Sequence, residues 1–217
     1  IRIPDLLTQM VPNYDVFVDQ FIRDSAGNLV AIDNRWLNTG GSLTEGIEIS
    51  GRAGFEAWGA DWTIGLDATY LLGKRTKVIE GLPYGPSEIG RFTFSDDLGL
   101  KWRHNLFLTY ARDNWSVSLS QIFRKGYTNQ VLPGVASGRI TPPDLVETTQ
   151  DYVIYNLSAN YNINDRLMIT AGVKNLFDRD PPFAISYDSS TGAGSSWEPR
   201  VADPRGRSFT LLLDFKL

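Results

Sequence analysis

Along seven segments of this chain apolar residues return at every second position, and, Arg207 at the opening of the last segment aside, no charged residue falls in any of those series. Gly46 to Phe55 places Ile47, Ile49, Gly51, Ala53 and Phe55 on one side and Glu48, Ser50 and Arg52 on the other. A period of two is the signature of a β-strand with unlike faces. Trp62 to Leu72 repeats it with Trp62, Ile64, Leu66, Ala68, Tyr70 and Leu72. Further segments are Lys101 to Ala111, Trp115 to Arg124, Tyr152 to Ile163, Arg166 to Phe177 and Gly206 to Leu217. Tyr14 to Arg23 and Leu29 to Leu37 are weaker strand candidates around a turn at Ser25 to Asn28, and Ile1 to Ile3 reads as the stub of another strand.

The face opposite the uncharged series carries Glu48, Arg52, Asp67, Lys174, Asp214 and Lys216 among many hydroxyls and amides. That is too polar for the core of an ordinary β-sandwich. It suits a transmembrane barrel, where an outward charge at the bilayer midplane costs about 2–4 kcal/mol and the interior is wet. Mean hydropathy of −0.20 and the lack of a long apolar run make the chain look water-soluble, but a spanning strand needs only about 9–11 residues and shows its apolar side at alternate positions.

Connection lengths point the same way. Three short ones, near Glu56 to Asp61, Arg112 to Asn114 and Asn164 to Asp165, alternate with three long ones, Gly73 to Gly99, Lys125 to Gln150 and Asp178 to Arg205. Tight turns on one side and long loops on the other are the outer-membrane pattern, periplasmic and extracellular respectively. Phe55, Trp62, Trp115 and Tyr161 lie by the short turns; Trp102, Phe123, Tyr127, Tyr152, Tyr155 and Phe177 lie toward the long loops. Two aromatic girdles around an aliphatic band are expected of such a wall.

Other functions find little support. The 21 basic and 25 acidic residues form no block that could grip a phosphate backbone, so nucleic acid is not an expected partner. There is no cysteine, hence no thiolate metal site or cysteine nucleophile, and nothing calls for a cofactor. The single histidine, His104, has outward parity beside Trp102, which reads as an interfacial position rather than a general base, and Asp96 and Asp97 read as a solvated loop pair. No enzyme is expected. Two matches to the glycosylation sequon, at Asn114 and Asn156, are set aside for a bacterial barrel.

Binding candidates lie in the long connections: Tyr84, Arg91 and Phe92 in the first, and Tyr187, Asp188, Trp197 and Arg200 in the third, which also holds the flexible stretch Ser189 to Ser196. Aromatic rings with an occasional charge can stack on and orient a catecholate, a sugar or a porphyrin.

The tail carries two recognisable boxes, Asn175-Leu176-Phe177-Asp178 at the end of one strand and Asp203-Pro204-Arg205-Gly206-Arg207 at the opening of the last. With the N-x-G spacing from Asn38 to Glu48, they make the chain resemble the C-terminal part of a TonB-dependent outer-membrane receptor. The resemblance implies an all-β, antiparallel transmembrane barrel, of which residues 1–217 would be a C-terminal segment of about seven to ten strands out of about 22. A signal peptide, TonB box and plug are not seen in the sequence, and the chain departs from the family in ending on Leu217, with Phe215 two positions earlier.

By that resemblance the receptor imports a scarce nutrient of the ferric siderophore, cobalamin or glycan class across the outer membrane of a Gram-negative bacterium. Its partners would be outer-membrane lipid, the remainder of the barrel and plug, the TonB-ExbB-ExbD complex and a small nutrient ligand. Two alternatives stand beside it. One is a self-contained barrel of eight or ten strands acting as an adhesin or anchor, which needs the Tyr14 to Leu37 region to pair with the last strand. The other is a soluble carbohydrate-binding sandwich.

Overall fold

The computed structural model describes residues 15, 17–33, 40–77, 82–93, 98–141, 145–188 and 193–216. The expectations at Ile1 to Ile3, Asn38, Asp96, Asp97 and Leu217 lie outside the described residues. The chain is all-β and antiparallel. Its strands are β1 (Phe21–Arg23), β2 (Leu29–Ile32), β3 (Gly41–Ala57), β4 (Ala60–Lys77), β5 (Trp102–Arg112), β6 (Trp115–Arg124), β7 (Tyr152–Asn164), β8 (Leu167–Lys174), β9 (Ser186–Asp188), β10 (Ala193–Ser195) and β11 (Ser208–Phe215). The first two form a hairpin of their own, β9 and β10 form another, and seven strands make one sheet in the order β11-β8-β7-β6-β5-β4-β3.

Apart from the step from β8 to β11, that order is a meander, and register converts period two into rows across the sheet. Ile64, Leu108, Leu119, Leu157, Val173 and Phe209 are successive cross-strand partners, and so are Thr63, Thr109, Ser118, Ser158, Gly172 and Thr210. A slip of one residue at any pair would swap the two kinds of row. Each sequence segment therefore contributes its uncharged series to one common face. That face is bare: Ile47 is 49% exposed and Leu211 71%, although both are large aliphatics. An apolar surface of this extent marks contact with lipid or another apolar body.

The polar face bonds to itself laterally. Thr109 Oγ1 donates to Ser118 Oγ (2.9 Å), Thr170 Oγ1 to Asn160 Oδ1 (2.7 Å) and Ser50 Oγ to Asp67 Oδ1 (2.6 Å). Phe107 is an aromatic residue on this face. A Cβ on Gly65, its partner across the strands, would lie 2.3 Å from two ring carbons, and the Arg52 guanidinium sits 5.5 Å over the ring. Gly65→Ala should therefore evict Phe107 and destabilise the protein by about 1–2 kcal/mol, read as a lower thermal midpoint; an unchanged midpoint contradicts this packing.

The short connections are tighter than the sequence suggests because the strands run to the turn. Trp58 (φ 54°) and Gly59 (φ 71°) alone join β3 to β4, and this pair of positive φ values matches the twist of the flanking strands. Asp113 (φ 51°) turns β5 into β6, and Asn164 Oδ1 accepts from Arg166 N and Leu167 N at the β7 to β8 turn. At this end Phe55, Trp62, Tyr110 and Trp115 form a chain of ring contacts with centroids 5.0–6.2 Å apart.

The two boxes interlock as a strand-end device. Asn175 and Asp178 both take positive φ, and the Asn175 side chain bonds both the N–H and the carbonyl of Arg179. Asp178 Oδ1 accepts the Arg207 N–H at 2.7 Å, where a Cβ on Gly206 (φ 69°) would come within 3.0 Å of the same oxygen. Asp203 accepts from Arg205 and from Lys174 Nζ (2.9 Å); these hydrogen bonds, Arg205's first, hold its carboxyl well below the usual carboxylate range. The turn from β8 toward β11 thus uses the polar atoms of both boxes.

The chain divides into two compact units, residues 1–43 with 75–86, and residues 44–74 with 87–217. Among the described residues, β1 and β2 pair only with one another, and β11 does not pair with β3, so the sheet has two open edges.

Candidate functional site

The candidate site lies in the second unit, where the part of the first long connection from residue 87 on meets the second and third at one end of the sheet. They are joined by backbone first. Thr128 N donates to Gly90 O (2.8 Å) and Phe92 N to Thr128 O (2.9 Å), which makes a parallel bridge between Arg91 and Thr128. Thr128 also bridges Thr148, and Thr149 N donates to Tyr127 O (2.8 Å), so the second connection pairs with itself while holding the first. At its base Gly126 N donates to Asp151 Oδ1 (2.7 Å), and Lys125 Nζ lies 3.0 Å from the other carboxylate oxygen.

Two amide side chains tie in the third connection. Asn129 Oδ1 accepts from Ile185 N (2.9 Å) and Thr149 Oγ1 (3.0 Å), and its Nδ2 donates to Val146 O (3.1 Å). Gln130 copies a strand partner: Oε1 accepts from Tyr187 N (2.7 Å) and Nε2 donates to Tyr187 O (2.8 Å). The third connection is accordingly more structured than its Gly/Ser composition suggests, because Ser186–Asp188 and Ala193–Ser195 pair as β9 and β10 around its centre.

Beneath this scaffold Leu98, Leu100, Tyr127 and Ala184 form one buried cluster; Tyr152, Ile154 and Ala202 form a second, with Ile122 and Val201 packed against it. Ile122 and Ile154 are cross-strand partners on the polar-face parity, so the third connection folds over that face at its upper end. This moves two expected girdle residues. Tyr127 and Tyr152, read from the sequence as rings toward the loops, are both 3% exposed and belong to these cores. Burial pushes the Tyr127 phenol up to about 12.

The sequence-predicted candidates fare differently. Phe92 lies under the Arg200 guanidinium at 5.3 Å, and Arg200 is itself engaged: Nε and Nη2 each donate to one oxygen of Glu198 (2.8 and 2.9 Å), and Nη1 donates to Thr93 O (3.0 Å). Burial pushes the Glu198 carboxyl up, and the Arg200 hydrogen bonds outweigh it, leaving the group below its ordinary value. Arg200 thus clasps the third connection to the first. Arg91 is exposed beside its backbone bridge to Thr128. Trp197 is half-buried, and its indole N–H has no partner among the described residues.

Tyr187 lines a mostly apolar cavity of about 430 Å³ with Leu132, Phe183, Ile185 and Gly194. Asp188 ends β9. Tyr84 lies in the unit of residues 1–43 and 75–86, half-exposed, with Lys77 Nζ 5.7 Å over its ring. The structure therefore joins Phe92 with Arg200, puts Tyr187 in a cavity, and leaves Tyr84 to the other unit.

A second polar hollow, of about 340 Å³, was not singled out from sequence. It is lined by Glu48, Ser50, Asp67, Thr69, Arg103 and Arg124 among others. Arg103 and Arg124 are direct cross-strand partners, an arrangement that costs a sheet stability. Their common parity was a readable signal. Asn129 and Gln130 left none, since their role depends on a fold of the loop. Among the described residues no group of three or more His, Cys, Asp or Glu side chains is placed to hold a metal ion, and no helix is long and apolar enough to cross a membrane, which says nothing of strands.

The family model described as TonB dependent receptor-like, beta-barrel matches residues 2–176, a span that ends inside the first box and leaves the second beyond it. No curated protein matches the chain. Two solved structures of mutant ferric enterobactin receptors from Pseudomonas aeruginosa, one in complex with enterobactin, are similar at 18% and 19% identity, each with a TM-score of 0.46. Each similarity covers 80% of this chain and 22% of the receptor, so the chain spans under a quarter of the length of the structures it matches.

Proposed function

We propose that this chain, which belongs to the TonB-dependent receptor-like β-barrel family, supplies wall and outer loops to an outer-membrane receptor that imports a scarce nutrient. The observation that carries the reading is the pair of faces: rows of uncharged residues and rows of polar residues run in register across the sheet, with three long connections gathered at one end. An uncharged outer face and a hydroxyl-lined inner face are what a bilayer outside and water inside require.

In this reading residues 1–217 are one segment of the barrel, toward its C-terminal side, and further strands and a plug complete it. The long connections face the cell exterior. Their rings, Phe92, Tyr187 and Trp197, with Arg91 and Arg200, are the surface on which a small ligand first settles, and the cavity beside Tyr187 is an apolar recess in it; Tyr84 is a separate candidate in the other unit. Arg200 contributes by holding the loops as much as by touching a ligand. Transport is energised from the inner membrane through TonB, ExbB and ExbD, and the protein acts as a carrier rather than an enzyme. The ligand belongs to the ferric siderophore, cobalamin or glycan class.

Deleting the gene that encodes this chain should abolish uptake of one labelled nutrient from a panel of ferric siderophores, cobalamin and oligosaccharides. Complementation should restore it, and a protonophore or loss of TonB should abolish it again. Uptake of the whole panel unchanged by the deletion, or insensitive to loss of TonB, contradicts the reading.

A further inference from the structure

A hydrogen-bonded row crosses the uncharged face where an aliphatic surface would be expected. Trp102 Nε1 donates to His104 Nδ1 (2.8 Å), His104 Nε2 lies 2.9 Å from Gln121 Oε1, and Gln121 Nε2 donates to the Tyr155 hydroxyl (2.6 Å). The four residues come from β5, β6 and β7, and all have the parity of Leu108, Leu119 and Leu157. The row is packed with rings: Phe123 stacks on His104 at 5.1 Å, and Phe177 meets Tyr155 edge to face at 5.4 Å.

The direction of the row follows from the first donor. An indole N–H can only donate, so Nδ1 of the imidazole accepts and the ring proton of neutral His104 is on Nε2. Nε2–H then donates to the Gln121 carbonyl oxygen, which leaves the Gln121 amide nitrogen to donate to Tyr155. The phenol oxygen is filled as an acceptor, and its own O–H has no acceptor among the described residues. Two donors of the row keep no acceptor among the described residues, the second N–H of the Gln121 amide and, at the end of the row, the Tyr155 O–H.

We propose that the Tyr155 hydroxyl is a lipid-binding point, donating to the carbonyl of an acyl linkage in a membrane lipid. The proposal rests on the reading of the uncharged face as the lipid face. Depth favours a carbonyl: His104 lies two residues, about 7 Å along the strand, inside Trp102, and Gln121 and Tyr155 lie further in still, with Leu106 opposite Gln121 and Leu157 next below Tyr155 on this face. Acyl-linkage carbonyls are the lipid's polar groups closest to hydrocarbon. Charge favours it too. The row is neutral: Arg103, between Trp102 and His104 in sequence, has the opposite parity and pairs across the strands with Arg124, and Lys101 sits with Nζ 5.9 Å over the Tyr70 ring, so the row offers neutral donors rather than a phosphate clamp.

The test compares the intact protein in vesicles of ester-linked and ether-linked phosphatidylcholine, which share a headgroup and differ in the carbonyl. The wild type should unfold at a higher denaturant concentration in the ester lipid, and the ester carbonyl infrared band should gain a hydrogen-bonded component. Tyr155→Phe, which keeps the ring against Phe177 but takes the acceptor from Gln121 Nε2, should be less stable than the wild type in both lipids and should show neither the ester-over-ether gain in midpoint nor the hydrogen-bonded carbonyl component. Equal midpoints for the wild type in the two lipids, or a difference that Tyr155→Phe leaves intact, overturns the proposal. Failure to enter either bilayer overturns the membrane reading and the proposal with it, and is distinguished by extraction from the vesicles at high pH.

Discussion

Leu119→Arg is expected to lower the stability of the bilayer-inserted protein by about 2–4 kcal/mol, the cost of a cation facing lipid near the midplane. Ser118→Arg, one residue away, is expected to lose only about 0.5–1.5 kcal/mol with its hydrogen bond from Thr109. The two positions share a strand, β6, and nearly the same depth, so they differ chiefly in the face to which they belong. Leu119 stands between Leu108 and Leu157, Ser118 between Thr109 and Ser158. Denaturant midpoints of both variants refolded into vesicles read the difference directly. Equal losses would mean that both faces see the same surroundings; a larger loss for Ser118→Arg would mean that the faces are inverted.

Arg200→Ala is expected to cost about 2–3 kcal/mol, because it strips a buried carboxylate of its bidentate partner and frees the first connection from the third. Glu198 is 3% exposed and loses the guanidinium that offsets its burial. Arg200→Lys should recover little, since one ammonium cannot hold both oxygens of Glu198 and Thr93 O at once. The lowered carboxyl also sets a pH dependence. Its stabilisation is complete above the ordinary carboxylate range and is lost as pH falls through the lower folded value. The wild-type loops should therefore resist protease at pH values just below the ordinary glutamate range, where those of Arg200→Ala are cut. Equal cleavage of the two proteins at neutral pH would contradict the clasp.

The sheet was legible because the information that specifies it is local and repeated. Trp115 to Arg124 was bounded to the residue, and the other six segments were placed within a few residues of their observed limits, since parity is visible in each strand alone. The ends were less legible. β3 extends back to Gly41 and β4 on to Lys77, where apolar content no longer marks the strand, and β8 stops at Lys174 because Asn175 takes a positive φ.

The loops were the illegible part. Gln130 holding Tyr187, or Ala202 joining Tyr152 and Ile154, depends on contacts across dozens of residues that leave no period in the sequence. Tyr127 and Tyr152 show the limit well: their position along the chain suited a girdle, but Tyr152 has polar-face parity and Tyr127 lies beyond the strand, so both were free to be covered by loops. Arg200 was found for its charge among aromatics, and the structure gives that charge an internal partner as well.

The central claim is that the uncharged face meets lipid while the polar face meets water. Because the chain has no cysteine, single cysteines from Ser116 to Ser120 of β6 can each carry a nitroxide, and collision with dissolved oxygen and with a water-soluble nickel chelate can be compared in the vesicle-inserted protein. The account predicts a period of two, with oxygen favoured at Val117 and Leu119 and the nickel complex at Ser116, Ser118 and Ser120. Uniform access of the nickel complex to all five positions, or the opposite phase, would contradict it.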